Sequence, residues 1–192
     1  MRGIFQDGNL RQIKKKINKM DLINFENWFF KKVSCIKFLD KEMITEFEAR
    51  SDLVIINCFG FHYHLFHERE YKLYRAKLVS RKELLGGKGG YFMTPIQKDL
   101  SIESLRKAVQ IGLEAYESDL SLILHCRSGL HRSEMVRGGI YFCGTGNHLR
   151  EANKENMLLE NVQEKHNMFP VGQSELEEIL IKTKIDYDGT VK

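Results

Sequence analysis

The sequence predicts an α/β domain, and three observations predict it. Residues 52–58, Asp-Leu-Val-Ile-Ile-Asn-Cys, are a short, unbroken, β-branched run of the kind a fully buried strand carries. A second apolar run, residues 120–124, leads into a tight loop and then into a helix-permissive segment, residues 133–143. Between the two, Ile102, Leu105, Val109, Leu113 and Tyr116 recur at helical spacing. Strands alternating with helices are the pattern of that class.

A chain of 192 residues suits one domain with a sizeable core, and its composition, 42% apolar and 29% charged, is that of a globular protein. No apolar run approaches membrane-spanning length. The first residues lack an apolar stretch followed by a small-residue cleavage site, so no secretory signal is read there. The four cysteines, at 35, 58, 126 and 143, are too sparse for a disulfide scaffold and fit a reducing compartment. The cytoplasm is the expected location, with export by a route that needs no such signal left open. A net charge of +4 suits anionic substrates, and the absence of a basic stripe interleaved with aromatics argues against nucleic acid.

Residues 1–35 are expected to form an N-terminal helical extension to a domain spanning 36–192. Leu10, Ile13, Ile17 and Met20 stand at helical spacing with lysines and Arg11 on the other faces. A helix packed on the domain is favoured there over a membrane-surface anchor, because four apolar side chains without Trp or Phe make a thin anchor. Phe25, Trp28, Phe29 and Phe30 are expected in the core. Next come a helix starting near Asp40 and the buried strand at 52–58. His62, His64 and His67 have metal-ligand spacing but no fourth ligand beside them, so a polar loop is expected and no metal. Alternation over residues 71–79 reads as a strand, the glycines at 86–90 as a mobile loop able to close over a substrate, and residues 91–96 as a further strand. Ser101 is placed to cap the helix that carries the Ile102 stripe. After the central loop, Met135, Val136 and Ile140 should face inward, with Gly138 and Gly139 letting the helix approach the sheet. Helices are expected at 149–166 and 174–184, the second opening with Ser174 and Glu177 as a capping box, followed by a frayed tail from Tyr187.

The chemistry is concentrated in residues 125–133, His-Cys-Arg-Ser-Gly-Leu-His-Arg-Ser. A loop that opens a helix offers free backbone N–H groups and the positive end of the helix dipole to an anion. The same field lowers the pKa of a cysteine, so Cys126 is expected to be a nucleophilic thiolate near neutral pH. Arg132 can hold two phosphate oxygens with its planar fork.

This string, H-C-x-x-G-x-x-R-S, resembles the signature of the cysteine-dependent protein tyrosine and dual-specificity phosphatases, in register from the histidine to the final hydroxyl residue. The resemblance implies a single domain with a four- or five-stranded, mostly parallel sheet flanked by helices, and no cofactor. It implies that His125 orients the loop, Cys126 is the nucleophile, Arg132 binds the transferring phosphoryl group and Ser133 stabilises the thiolate as it leaves. Arg127, Ser128, Gly129, Leu130 and His131 would line the substrate. A histidine before the arginine is similar to atypical members that cleave inositol phosphates, and the extra charge of Arg127 and His131 should favour polyanions. Substrates would be phosphoproteins, inositol phosphates or phosphoinositides.

Family members supply a general acid from a separate loop. Asp99, 27 positions before Cys126, is the candidate here, with Glu83 in reserve. The segment 56–60 resembles the tensin-type lipid phosphatases, which implies Cys58 as a candidate redox partner of Cys126. Two alternatives stand beside this reading. One is a rhodanese or related cell-cycle phosphatase type of enzyme, and the other is a non-catalytic phosphate-binding module.

Overall fold

The computed structural model describes residues 19–59, 68–96, 102–147 and 173–190. In chain order the elements are α1 (Lys19–Lys32), β1 (Val33–Ile36), α2 (Lys41–Ala49), β2 (Leu53–Asn57), α3 (Glu68–Ala76), α4 (Arg81–Leu85), β3 (Tyr91–Met93), α5 (Ile102–Glu117), β4 (Ser121–His125), α6 (Arg132–Thr145) and α7 (Gln173–Thr190). The described strands form one four-stranded sheet in the order β1-β4-β2-β3, every pairing parallel. This is the expected α/β architecture: a parallel sheet with helices over both faces.

Alternation along β2 divides the core. Val54 and Ile56 join Leu122 and Leu124 of β4 on one face, against Phe25, Trp28 and Phe29 of α1, Leu105 and Val109 of α5, Val136 and Ile140 of α6 and Leu180 of α7. Leu53 and Ile55 point the other way, into a smaller cluster with Leu39, Ile44, Phe47, Leu73 and Tyr91. The helix expected to start near Asp40 is α2, and Asp40 caps it, its side chain accepting from the Glu42 and Met43 N–H groups.

Several expectations are corrected. Residues 71–79 are not a strand; α3 occupies Glu68–Ala76, because Glu70 and Leu73, three apart, share one buried helical face while Tyr71, Lys72 and Arg75 stay exposed. The glycines at 86–90 do not form a mobile lid. Gly89 and Gly90 are buried, the Gly89 N–H donates to the Ser51 carbonyl at 2.8 Å, and a Cβ on Gly89 would stand 2.4 Å from the Leu53 carbonyl oxygen. The segment is wedged at the start of β2, the end of the sheet opposite the loop that follows β4.

α1 runs directly into β1, which ends at Ile36, and places Phe25, Trp28 and Phe29 in the core. Phe30 is the exception in its cluster, 45% exposed. Gly139 does admit a close approach, but to Val109 of α5 and Leu180 of α7 rather than to the sheet. Of the tail expected to fray from Tyr187, the described part is helical: α7 continues to Thr190 and Tyr187 is buried. The histidines at 62, 64 and 67, Asp99, Ser101, residues 10–18 of the helix expected at 10–20 and the helix expected at 149–166 lie outside the described residues. No described helix is long and apolar enough to cross a membrane.

Candidate active site

β4 is central in the sheet, paired with β1 on one side and β2 on the other, and it ends at His125. The chain then leaves the sheet for six residues before α6 begins at Arg132, with His131 at the N-cap position. The loop is held down where Gly129 passes β1. There φ is +72°, and a Cβ would lie 2.6 Å from the Ile36 carbonyl carbon. Only glycine fits both demands, so Gly129→Ala is expected to cost about 1–3 kcal/mol of stability in urea denaturation.

Cys126 is 2% exposed. Its sulfur faces the loop, with Ser133 Oγ at 3.3 Å and the backbone N–H groups of Ser133, His131 and Ser128 as hydrogen-bond donors. Burial by itself raises the thiol pKa, but these donors outweigh it and bring the value from 9.0 down to about 7. The other cysteines are driven the opposite way, chiefly by burial: Cys35, Cys58 and Cys143 are all raised. Cys126 should therefore be the thiol that reacts with iodoacetamide near neutrality. Because its folded-state pKa is lowered, reactivity is expected to fall as the pH drops through about 7. Ser133→Ala, lacking the hydroxyl donor, should move that midpoint upward, as followed by mass spectrometry of the alkylated peptide.

Arg132 is half-buried, its guanidinium carbon 5.0 Å from the centre of the Phe59 ring, and Phe38 meets Phe59 edge-on at 5.7 Å. Arg127, Ser128 and Leu130 are exposed, and Ser128 Oγ lies 3.1 Å from His131 Nδ1. The structure thus brings the Cys126 sulfur, the Ser133 hydroxyl and the N–H groups of Ser128, His131 and Ser133 together past the end of β4, with Arg132 opening α6 over Phe59 and the His125 ring turned to Tyr91 and Glu70. It does not bring Glu83 there. That carboxylate belongs to the capping box of α4 and pairs with Lys88 at 2.8 Å. Lys88 and then Ser80 hold it down to about 2, so it carries no proton to give near neutrality.

Cys58 follows β2 directly, its N–H donating to the His125 carbonyl at 2.8 Å, which sets it on the strand next to Cys126. The described cysteines are all free thiols. Phe59, which carries Arg132, and Glu70, whose carboxylate lies 3.2 Å from His125 Nε2, were missed in the sequence. Phe59 lies within the segment 56–60, which drew attention to Cys58 rather than to the aromatic ring, and the signal for Glu70 was the helical period that the alternation at 71–79 disguised. A cavity of about 600 Å³ lies against β3 and α5, lined by none of the residues 125–133. No cluster of histidine, cysteine and carboxylate groups suited to a metal occurs among the described residues.

No protein-family model matches the chain, and no curated protein matches it. Among solved structures, the crystal structure of Tk-PTP in the active form is similar at 19% identity with a TM-score of 0.47, covering 81% of this chain and 92% of that one. The crystal structure of PTPMT1 in complex with PI(5)P is similar at 13% identity and the same TM-score, covering 84% and 95%. Likenesses of this size assign neither an activity nor a substrate to this chain.

Proposed function

We propose that this protein is a phosphomonoester hydrolase that works through a thiolate at Cys126. The observation that carries the reading is the sulfur itself: three backbone N–H groups and the Ser133 hydroxyl surround it at the start of α6, and its pKa is brought down to about 7. Such a cradle stabilises negative charge on sulfur and on the oxygens of a phosphate placed over it.

In the first step Cys126 Sγ attacks phosphorus, the bond to the leaving oxygen breaks, and Asp99 gives that oxygen its proton. In the second, Asp99 takes a proton from water as the water attacks the phosphocysteine, and the sulfur–phosphorus bond breaks to release inorganic phosphate and the thiolate. Ser133 Oγ stabilises that thiolate. Arg132 and the loop amides hold the equatorial oxygens in both steps. The role of Asp99 is supported by chain order. It comes three residues after Ile96, whose N–H donates to the Cys58 carbonyl at 3.0 Å, beside Cys126.

The exposed Arg127 and the His131 next to Arg132 favour substrates carrying more than one phosphate over a lone phosphotyrosine. A panel of phosphopeptides, inositol phosphates and phosphoinositides tests this, with faster release from the polyphosphorylated inositols expected. Asp99→Ala should slow hydrolysis of an alkyl phosphate, a poor leaving group, by about 10²–10⁴-fold and spare para-nitrophenyl phosphate more. Full activity of Asp99→Ala on the alkyl ester at neutral pH would remove Asp99 from the acid role.

A further inference from the structure

Four buried polar groups meet behind the loop, on the face of the sheet covered by α2 and α3. Glu70 Oε1 accepts the Tyr91 hydroxyl, lies 3.2 Å from His125 Nε2 and lies 3.5 Å from Asn57 Nδ2. The Tyr91 oxygen is 3.0 Å from His125 Nε2 and takes a bond from Asn57 Nδ2 at 3.1 Å. None of the four residues is more than 2% exposed. Burying a carboxylate costs several kcal/mol unless it is paired and hydrogen-bonded, and α3 has exposed faces where a glutamate is free of that cost.

The network reaches both ends of the reactive loop. His125 is the residue before Cys126; its Nδ1 is buried without a hydrogen-bond partner, so the ring's hydrogen bonds are those on the Nε2 side. Asn57 Oδ1 accepts the Phe59 N–H at 2.8 Å, and the Phe59 ring underlies Arg132. We propose that Glu70 is a positioning residue of this site: through His125 and through Asn57 it fixes the start of the Cys126 loop and the platform of Arg132, so that the loop N–H groups stay aimed at the sulfur.

The assignment rests on the Cys126 reading above, but its readout needs no phosphate turnover. That readout is the pH midpoint of Cys126 alkylation in the full chain, with folding checked by thermal melting. The groups facing the two ends are Glu70 of α3, Tyr91 of β3 and Asn57 of β2 around His125, and Ser133 and Arg132 of α6 with the Cys58 thiol around Cys126. The direction of the shift is decisive. Glu70→Gln keeps the shape and removes a carboxylate; if Glu70 acted only as a nearby charge, thiolate would form more easily and the midpoint would fall. Loss of alignment raises it. The expected result is a higher midpoint, with the alkylation rate at pH 7 lowered about threefold or more, and a smaller further change when Glu70→Gln is added to His125→Asn than Glu70→Gln makes alone, the remainder passing through Asn57. An unchanged or lowered midpoint, or effects that simply add, overturns the assignment. Should Glu70→Gln fail to fold, Tyr91→Phe replaces it in the same comparison, with the same direction expected. A wild-type chain with a midpoint near 7 that hydrolyses no phosphomonoester sinks the proposed function and leaves this assignment standing. Hydrolysis together with an unmoved midpoint in Glu70→Gln does the reverse.

Discussion

Cys126→Ser is expected to lower turnover of para-nitrophenyl phosphate by on the order of 10⁴-fold, while the protein still binds inorganic phosphate and melts at an unchanged temperature. The substitution exchanges one sulfur for one oxygen in a pocket whose donors all remain: the N–H groups of Ser128, His131 and Ser133 and the Ser133 hydroxyl. What changes is the acidity of the attacking atom. The cradle brings the thiol down from 9.0 to about 7, so a large fraction of Cys126 is thiolate at neutral pH. An equal shift acting on a serine hydroxyl, close in acidity to water, leaves almost none ionised. Binding should survive because it depends on donors that the change does not touch. Loss of phosphate binding together with turnover would mean a collapsed loop. Retained turnover would place the reaction elsewhere in the chain and favour the module reading for residues 125–133.

Much of this site was legible before the structure because its information is local. A strand, a loop of fixed length and a helix start are set by neighbouring residues; Gly129 was visible as a motif position, while its reason, a left-handed φ and a close approach to β1, came only with the structure. The buried strand β2 was equally plain, since burial on both faces leaves an uninterrupted apolar run. What failed was information carried by distant partners. β1 has four residues that follow α1 without a break, too few to show alternation, and it is a strand because it pairs with β4, nearly ninety residues away. The error at residues 71–79 had consequences for the site. Taken as a strand, that segment hides the helical face that carries Glu70 to His125. The glycines at 86–90 misled in a related way, because a glycine chosen for close packing, as at Gly89 against Leu53, looks in sequence like one chosen for freedom.

Arg132→Lys is expected to lower kcat by about 10²–10³-fold with a smaller change in KM, although the charge is kept. The reason is geometric. A guanidinium presents a planar fork to two oxygens at once, and in this protein the fork lies over the Phe59 ring, 5.0 Å from its centre. That aromatic face orients the plane as well as attracting the charge. A lysine ammonium placed there offers a point charge without a plane, so it can attract the substrate in its ground state. It holds the two oxygens less well as they flatten toward the equatorial arrangement of the transition state. The loss should therefore fall on kcat. Phe59→Leu supplies the control: it removes the aromatic face, keeps the fork and should cost kcat less than Arg132→Lys does, about tenfold, on the same substrate. Steady-state kinetics on the three proteins decide the matter. A rise in KM at constant kcat for Arg132→Lys would make Arg132 a binding group only and remove it from the chemical step.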